Sequence, residues 1–533
     1  MRFDIYIKNA RIVDGTRSPW YRGGVGITDS KIRYVGSDLP EYAADAFEVI
    51  DAKDHIVAPG FIDVHTHSDF LLLRDPVMQS KLKQGVTTQG IGQCGISPAP
   101  ISSEQVEKLD IYSGFIKAGT HADWNWRSFG EWLDVLEDLN LGTNIVAFAG
   151  QGTIRIAVMG FDNREPSSDE MAEMKKLVSE SIEQGAYGIT SGLVYPPGVY
   201  SSTEELVELC SAMTSKNGLY QSHMRNEGRD VVKGVEEVIR IAEENRIPAQ
   251  ISHHKALGRS AWGLVKKTLA LVEDARKRGV DVTVDQYPYT SASTTLRAIL
   301  PPWVHEGGVM NVIERLADKS LRSRIIKEIE EDVTWDNYYQ NSGGASGVTV
   351  IYSPQTPEYE GKSLKEIAEM TGVDPLDIAM DIIAANKGDD AACYSMMCED
   401  DVEYVLKNNN VMVISDSIPP APGAKSHPRT FGTNPRVLGK YVRDKHCISL
   451  EDAIWKMTAF PASRLGLQFK GILREGMDAD IVIFDPDTVD DKATFEHPFE
   501  EPVGIEYVIV NGVKTMEFGN FTGHTNGKVL RKG

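Results

Sequence analysis

Eight short apolar segments, spaced along the middle of the chain and separated by longer stretches, constrain what this sequence can fold into more than any other feature. They are Gly60-Phe-Ile-Asp-Val-His, Val86-Thr-Thr-Gln-Gly-Ile, Asn144-Ile-Val-Ala-Phe-Ala, Ala186-Tyr-Gly-Ile-Thr, Leu219-Tyr-Gln-Ser-His, Ala249-Gln-Ile-Ser-His, Val280-Asp-Val-Thr-Val-Asp and Val411-Met-Val-Ile-Ser-Asp. Apolar runs of this length read as buried strands. Ser168 to Gln184, Thr203 to Asn217 and Val231 to Asn245 read as helices, the first two opened by Ser or Thr with acids in the first turn. Alternating strands and helices imply parallel strands, and eight of them imply an α/β chain built on a (β/α)8 TIM-like barrel over residues 59–465.

The two ends follow another pattern. Asp4 to Gly15 alternates polar and apolar residues and stops at Asp14-Gly15, and Gly24 to Gly36 holds two more short strands around Asp29-Ser30. Ala479-Asp-Ile-Val-Ile-Phe and Glu506-Tyr-Val-Ile-Val-Asn-Gly look alike. Neither end can bury a face alone, so residues 1–58 and 466–533 are expected to join as one small β-sandwich domain. Residues 296–353 break the strand–helix rhythm and read as an insertion between the seventh and eighth barrel strands.

The balance of 56 Lys and Arg against 77 Asp and Glu gives a net charge of −21, which repels phosphate backbones and anionic lipid. No nucleic-acid or membrane partner is expected. No run reaches the length of a spanning helix and the first residues lack an apolar signal core. The five cysteines (Cys94, Cys210, Cys393, Cys398 and Cys447) are scattered and odd in number, which suits a reducing, cytoplasmic setting. The apolar positions on the helices fit either a core or a partner, so a homo-oligomer is compatible with the pattern.

Metal-competent residues gather at the C-terminal ends of the strands. The first ends in His65-Thr66-His67, where residues i and i+2 of an extended chain share a face. The second runs into Gly92-Gln-Cys94-Gly, the fifth ends at His223, the sixth at His253 and the eighth at Asp416. His254 is expected to turn away from its neighbour. Each residue alone also fits a buried or hydrogen-bonded role. Together they occupy the end of a barrel where active sites are built.

The run Ala58-Pro-Gly-Phe-Ile-Asp-Val-His-Thr-His with His223, His253 and Ser415-Asp416 resembles the amidohydrolase superfamily. Gly92-Gln-Cys94-Gly-Ile-Ser, Ser191-Gly-Leu-Val-Tyr195-Pro-Pro-Gly, Ser252-His253-His-Lys255, Asp285-Gln-Tyr287-Pro-Tyr, His427-Pro-Arg429 and Asn434-Pro-Arg-Val-Leu-Gly are similar to the D-aminoacylase (N-acyl-D-amino-acid deacylase) family, over residues 3 to 514. The resemblance implies a tight zinc site on Cys94, His223 and His253. It also implies a second, weaker metal position on His65 and His67, shared by Asp416, and binding of a substrate carboxylate by Lys255, Tyr287, Ser293 and Arg429. Two positions depart from the family pattern: Ser417, followed by Ile418-Pro-Pro, replaces the usual glycine, and Gln93 the usual asparagine. Both are expected to reshape the pocket mouth.

The implied activity is zinc-dependent hydrolysis of N-acyl-D-amino acids, with metal-activated water as nucleophile and Asp416 as general base, then acid. Cyclic-amide hydrolases and dipeptidases on the same barrel usually carry a lysine on the fourth strand, which here reads Ala186-Tyr-Gly-Ile-Thr-Ser-Gly and offers none. A barrel kept only as a scaffold is expected to have lost ligands, and none is missing. Side-chain preference stays open at this level: Arg225 suits an acidic group, Tyr195 with Met224 an apolar one.

Overall fold

All eight segments form strands in the computed structural model, which describes residues 2–418, 420, 421 and 423–533. Pro419, in the Ile418-Pro-Pro run, lies outside the described residues. The strands are β1 (Phe61–Asp63), β2 (Val86–Ile91), β3 (Asn144–Ala147, continued by Ala149–Gly150), β4 (Gly188–Gly192), β5 (Leu219–His223), β6 (Ala249–Ile251), β7 (Val282–Gln286) and β8 (Val411–Val413). Every neighbouring pair from β1 to β8 is parallel, β3 pairing with β2 through its first half and with β4 through its second. Beyond β8 the backbone returns to the residues after β1: Asp416 N–H donates to the His65 carbonyl at 2.9 Å and His67 N–H to that of Ser417 at 3.0 Å.

Intervening helices start where the sequence signals them. Ser167 and Glu170 form a reciprocal capping box at the head of the helix Ser168–Glu183, satisfying backbone N–H groups that have no partner inside the helix. The helix Val231–Asn245 matches its expected bounds. The segment expected as Thr203 to Asn217 divides: α-helix ends at Cys210, and a tighter turn runs through Ser211–Lys216 to a left-handed Asn217.

Strands from the two ends of the chain pair, Ile56–Pro59 running antiparallel to Ile481–Phe484. Hydrogen bonding makes them one continuous nine-stranded sheet. Alternation along Ile481–Phe484 serves two cores: Ile481 and Ile483 pack with Ile7, Ile27 and Ile509, whereas Val482 and Phe484 pack with Phe61, Leu82 and Val86 of the neighbouring unit. The last residues leave this sheet. Ile145 of β3 donates to the Lys528 carbonyl and accepts from Leu530 N–H, each at 2.8 Å, and Arg531 pairs with Asp134 and Glu137.

The excursion between β7 and β8 is longer than residues 296–353. A three-stranded antiparallel sheet of Ser291–Thr294, Ala391–Ser395 and Val348–Tyr352 frames it. The helices Leu364–Thr371 and Pro375–Ala385 add Ile367 and Ile383 to a core around Leu296, Val312 and Ile329 that also takes in Ile62 of β1 and Val146 of β3. The returning strand Ala391–Ser395 pairs with both others, so nothing local at residue 353 marks an end. Among the described residues no helix is long and apolar enough to cross a membrane.

Candidate metal centre

Short strands place the candidate ligands because each chain leaves its strand through a constrained turn. His65 and His67 follow β1, Cys94 follows β2, His223 closes β5, and His253 and Asp416 follow β6 and β8. Cys94, His253 and Asp416 all have positive φ, +52°, +36° and +49°. Non-glycine residues rarely adopt this backbone, and it costs about 1–3 kcal/mol each, so tertiary contacts must hold it. At Gly92, φ +80°, a Cβ would lie 1.9 Å from the Phe148 carbonyl oxygen, which makes glycine obligatory two residues before the cysteine.

These turns bring six side chains together. Cys94 Sγ lies 3.4 Å from His65 Nε2 and 3.4 Å from His253 Nε2. Asp416 Oδ1 is 3.3 Å from Nε2 of both His65 and His67. Cys94, His223 and His253 form one set whose ligand atoms all lie within 4.8 Å of one another, and His65, His67, Cys94 and Asp416 form a second, so the thiol is common to both. All are buried.

Ionisation follows from this crowding. Burial pushes the Cys94 thiol up, but His65 and His253 outweigh it and hold the sulfur well below its ordinary range, as thiolate. Burial also disfavours the Asp416 carboxylate, and Arg429, His253, His65 and His67 together hold it well below normal. Against burial, His67 rises to about 9 through Asp416 and Cys94, and His223 to about 9 through Glu227 and Cys94. The donor set suits a cation: a soft thiolate with imidazoles and a carboxylate is a zinc-type set, and Nδ1 of His223 has no hydrogen-bond partner among the described residues. A cation there takes the place of the protons these rings carry.

Several partners escaped the sequence reading. Glu227, fully buried, has one oxygen 3.3 Å from His223 Nε2 and the other 3.1 Å from His253 Nδ1, and it accepts from Lys255 Nζ at 2.7 Å. Lys255 and both histidines hold it well below the usual carboxylate range despite burial. Its spacing of four from His223 was the one available signal. Tyr338, from the excursion, places its hydroxyl 3.3 Å from His223 Nε2. Asp285, at the end of β7, accepts from His253 N–H and the Gln250 amide. A carboxylate ending a strand is the argument applied to Asp416, and it reaches Asp285 too. Lys81 had no signal: its ammonium donates to Asp63 at 2.8 Å and to the hydroxyls of Ser415 and Ser417 at 2.7 Å each, behind Asp416.

An outer carboxylate that orients two metal-facing imidazoles tunes affinity. Glu227→Gln is therefore expected to weaken metal binding by about 10–100-fold, read by competition with a chromophoric chelator.

The other expected site residues divide. Lys255, Tyr287 and Ser293 line the small pocket beside the metal-competent cluster, with Tyr195, Tyr338, Phe115 and Ile418. Lys255 arrives there by a turn, since His253 is not extended, and not by sharing a strand face with it. Arg429 stands behind: one arm donates to Asp416 Oδ2 at 2.7 Å, the other to the Ser293 carbonyl at 3.1 Å, and the guanidinium lies 4.7 Å over the Tyr287 ring. His254 turns away, 2.8 Å from the Thr268 hydroxyl. Of the two departures, Ile418 after Ser417 lines the pocket, whereas the Ser417 and Gln93 side chains point elsewhere. The Ser417 hydroxyl faces buried Lys81, and the Gln93 amide donates to the Val64 carbonyl at 3.0 Å. Arg225 is engaged by Glu237, and Met224 is packed in the core.

Residues 48–515 match the Amidohydrolase family. D-aminoacylase of Alcaligenes xylosoxydans xylosoxydans is 36% identical over 531 residues, covering 99% of this chain and 98% of that one. A solved D-aminoacylase described as having a binuclear metal center superposes with a TM-score of 0.83 at 35% identity, over 99% of this chain and 100% of that one. The N-acyl-D-glutamate deacylase of Bordetella bronchiseptica, solved with zinc and a phosphonate mimic of the tetrahedral intermediate, gives 0.83 at 31% identity over 100% of both chains. With these matches over nearly its whole length, the chain belongs to the amidohydrolase family, in its D-aminoacylase branch.

Proposed function

We propose that this chain hydrolyses the amide bond of N-acyl-D-amino acids, releasing a carboxylic acid and a free D-amino acid, with zinc held by Cys94, His223 and His253 and a second divalent position at His65, His67 and Asp416. The observation that carries it is the convergence of thiolate, imidazoles and one carboxylate from five strand ends on one buried point. The parallel strands support a closed (β/α)8 barrel, flanked by a folded β unit from residues 1–58 and 466–533, with an insertion between the last two strands. The free cysteines suit a reducing compartment.

Bound zinc supplies Lewis-acid chemistry, polarising an amide carbonyl and making water acidic enough to ionise near neutral pH. The chain supplies proton transfer and orientation. Arg429 ties Asp416 Oδ2, so Oδ1 is the oxygen that takes the proton of the attacking water and returns it to the departing nitrogen. Lys255, Tyr287 and Ser293 line the pocket and receive the substrate carboxylate. Arg429 acts one step back, holding Asp416 ionised, and its Nε has no hydrogen-bond partner among the described residues and is the arm left for substrate.

Metal analysis of the purified protein is expected to give at least about one zinc per chain, with most of it lost in Cys94→Ala. Turnover of N-acetyl-D- but not N-acetyl-L-amino acids completes the test. Full activity without metal, or in Cys94→Ala, refutes the proposal.

A further inference from the structure

His427 opens the His427-Pro-Arg429 run, and its ring is not a wall of the pocket beside the metal-competent cluster. It is nevertheless only 2% exposed. Both ring nitrogens are engaged: Nδ1 lies 3.0 Å from the Arg429 backbone nitrogen and Nε2 lies 3.0 Å from the Ser291 carbonyl oxygen. A backbone N–H can only donate and a carbonyl can only accept, so Nδ1 is bare and Nε2 carries the hydrogen. The ring is a neutral imidazole in one tautomer. Burial, with Arg429 and Arg436, holds it well below the ordinary histidine range, against the pull of the Ser291 carbonyl and Asp416.

Its two partners belong to the two halves of the carboxylate site. Ser291 starts the short strand Ser291–Thr294, in which Ser293 lines the pocket and offers its carbonyl to one arm of Arg429 at 3.1 Å. Arg429 starts the helix Arg429–Arg436, whose cap residue, Pro428, makes no side-chain bond to the first N–H groups. His427 takes up that of Arg429 instead. The ring thus ties together two segments 136 residues apart in sequence. Two more rings stand nearly perpendicular to it, Tyr289 at 5.2 Å and Phe495 at 5.0 Å. Phe495 comes from the stretch between Ile481–Phe484 and Ile505–Val510, so the terminal sheet reaches the carboxylate site through this histidine.

Resting on the function proposed above, we infer that His427 is a positioning residue for recognition of the substrate carboxylate. Its neutral ring fixes the Arg429 backbone against the strand of Ser293, and so sets the spacing between the guanidinium and the Ser293 side chain. Asp416 has anchors of its own: its N–H donates to the His65 carbonyl at 2.9 Å, and Lys81 holds the serines on either side. Loss of the ring's bonds therefore weakens the grip on the carboxylate and leaves proton transfer in place.

The test compares His427→Phe, His427→Asn and His427→Gln with the wild type, each full-length and zinc-loaded. The substrates are an N-acetyl-D-amino acid and its α-carboxamide, which has no carboxylate. Phenylalanine keeps a ring and loses both bonds. Asparagine places an amide oxygen near the Nδ1 position, whereas glutamine reaches the Nε2 position instead. His427→Phe is expected to raise KM for the acid about tenfold with kcat close to unchanged, and to lower the acid-to-carboxamide ratio of kcat/KM by about the same factor. A lesion that merely loosens the fold lowers both substrates alike and leaves that ratio where it was. His427→Asn is expected to recover most of both losses and His427→Gln little of either, and this pair decides where phenylalanine prevents folding. An unmoved ratio in His427→Phe, a fall in kcat at constant KM, or glutamine equal to asparagine overturns the inference while leaving the deacylase function standing. No turnover of any N-acyl-D-amino acid by the zinc-loaded wild-type protein overturns both.

Discussion

Asp416→Asn is expected to keep bound zinc and lose about 10²–10⁴-fold in kcat, since asparagine keeps the side chain's shape but cannot accept the proton. The same change strips Arg429 of its counter-charge. That guanidinium is buried and bonded to Asp416 Oδ2 at 2.7 Å, so the variant is also expected to unfold more readily. An uncompensated buried charge costs about 3–5 kcal/mol. The two effects separate by measurement: zinc content and kcat are read on folded protein, stability by chemical denaturation. Unchanged kcat excludes Asp416 as the base. Loss of zinc together with activity makes it a metal ligand before anything else.

The second large effect lies behind that aspartate. Lys81, 1% exposed, holds Asp63 and the hydroxyls on either side of Asp416. Asp63 in turn accepts from Ser415 N–H at 3.0 Å. Lys81→Met leaves Asp63 as an unpaired buried carboxylate and is expected to cost about 3–5 kcal/mol of stability. The double variant Lys81→Met/Asp63→Asn removes both charges and is expected to recover most of that loss, because a buried pair replaced by neutral groups of similar shape is close to neutral. Both variants free the Ser415–Ser417 turn that keeps Asp416 at φ +49°. A displacement of about 1 Å at a catalytic group costs about a hundredfold, so kcat is expected to fall in the double variant even where stability returns. A double variant as unstable as the single one shows that the charge imbalance is not the cause.

How much of this was legible before folding depends on what kind of signal each residue emits. Strands and helices emit local signals. Apolar runs such as Val86–Ile91 and the Ser167 capping box are written within a few residues, and those elements stand where they were expected. The metal-competent residues emit a weaker, cumulative one, a polar residue at the end of each apolar run. Glu227, Asp285 and Tyr338 emit almost none, because their role exists only once other elements lie against them. The excursion after β7 was underestimated for the same reason. Its closing strand Ala391–Ser395 is defined by partners about 45 and 100 residues away in sequence.

Sequence by itself determined the parallel strand–helix architecture and which residue types stand at the ends of its strands. These follow from periodicity and from which atoms each side chain owns. Tertiary structure alone decided that Cys94 serves both ligand sets, that Arg429 is committed to Asp416, and that Ser417 faces a buried lysine instead of the pocket. Each of those is a question of which charge stands within a few ångströms of which other. Coulomb interaction and desolvation fall off in space, not along the chain, so only the folded distances answer it.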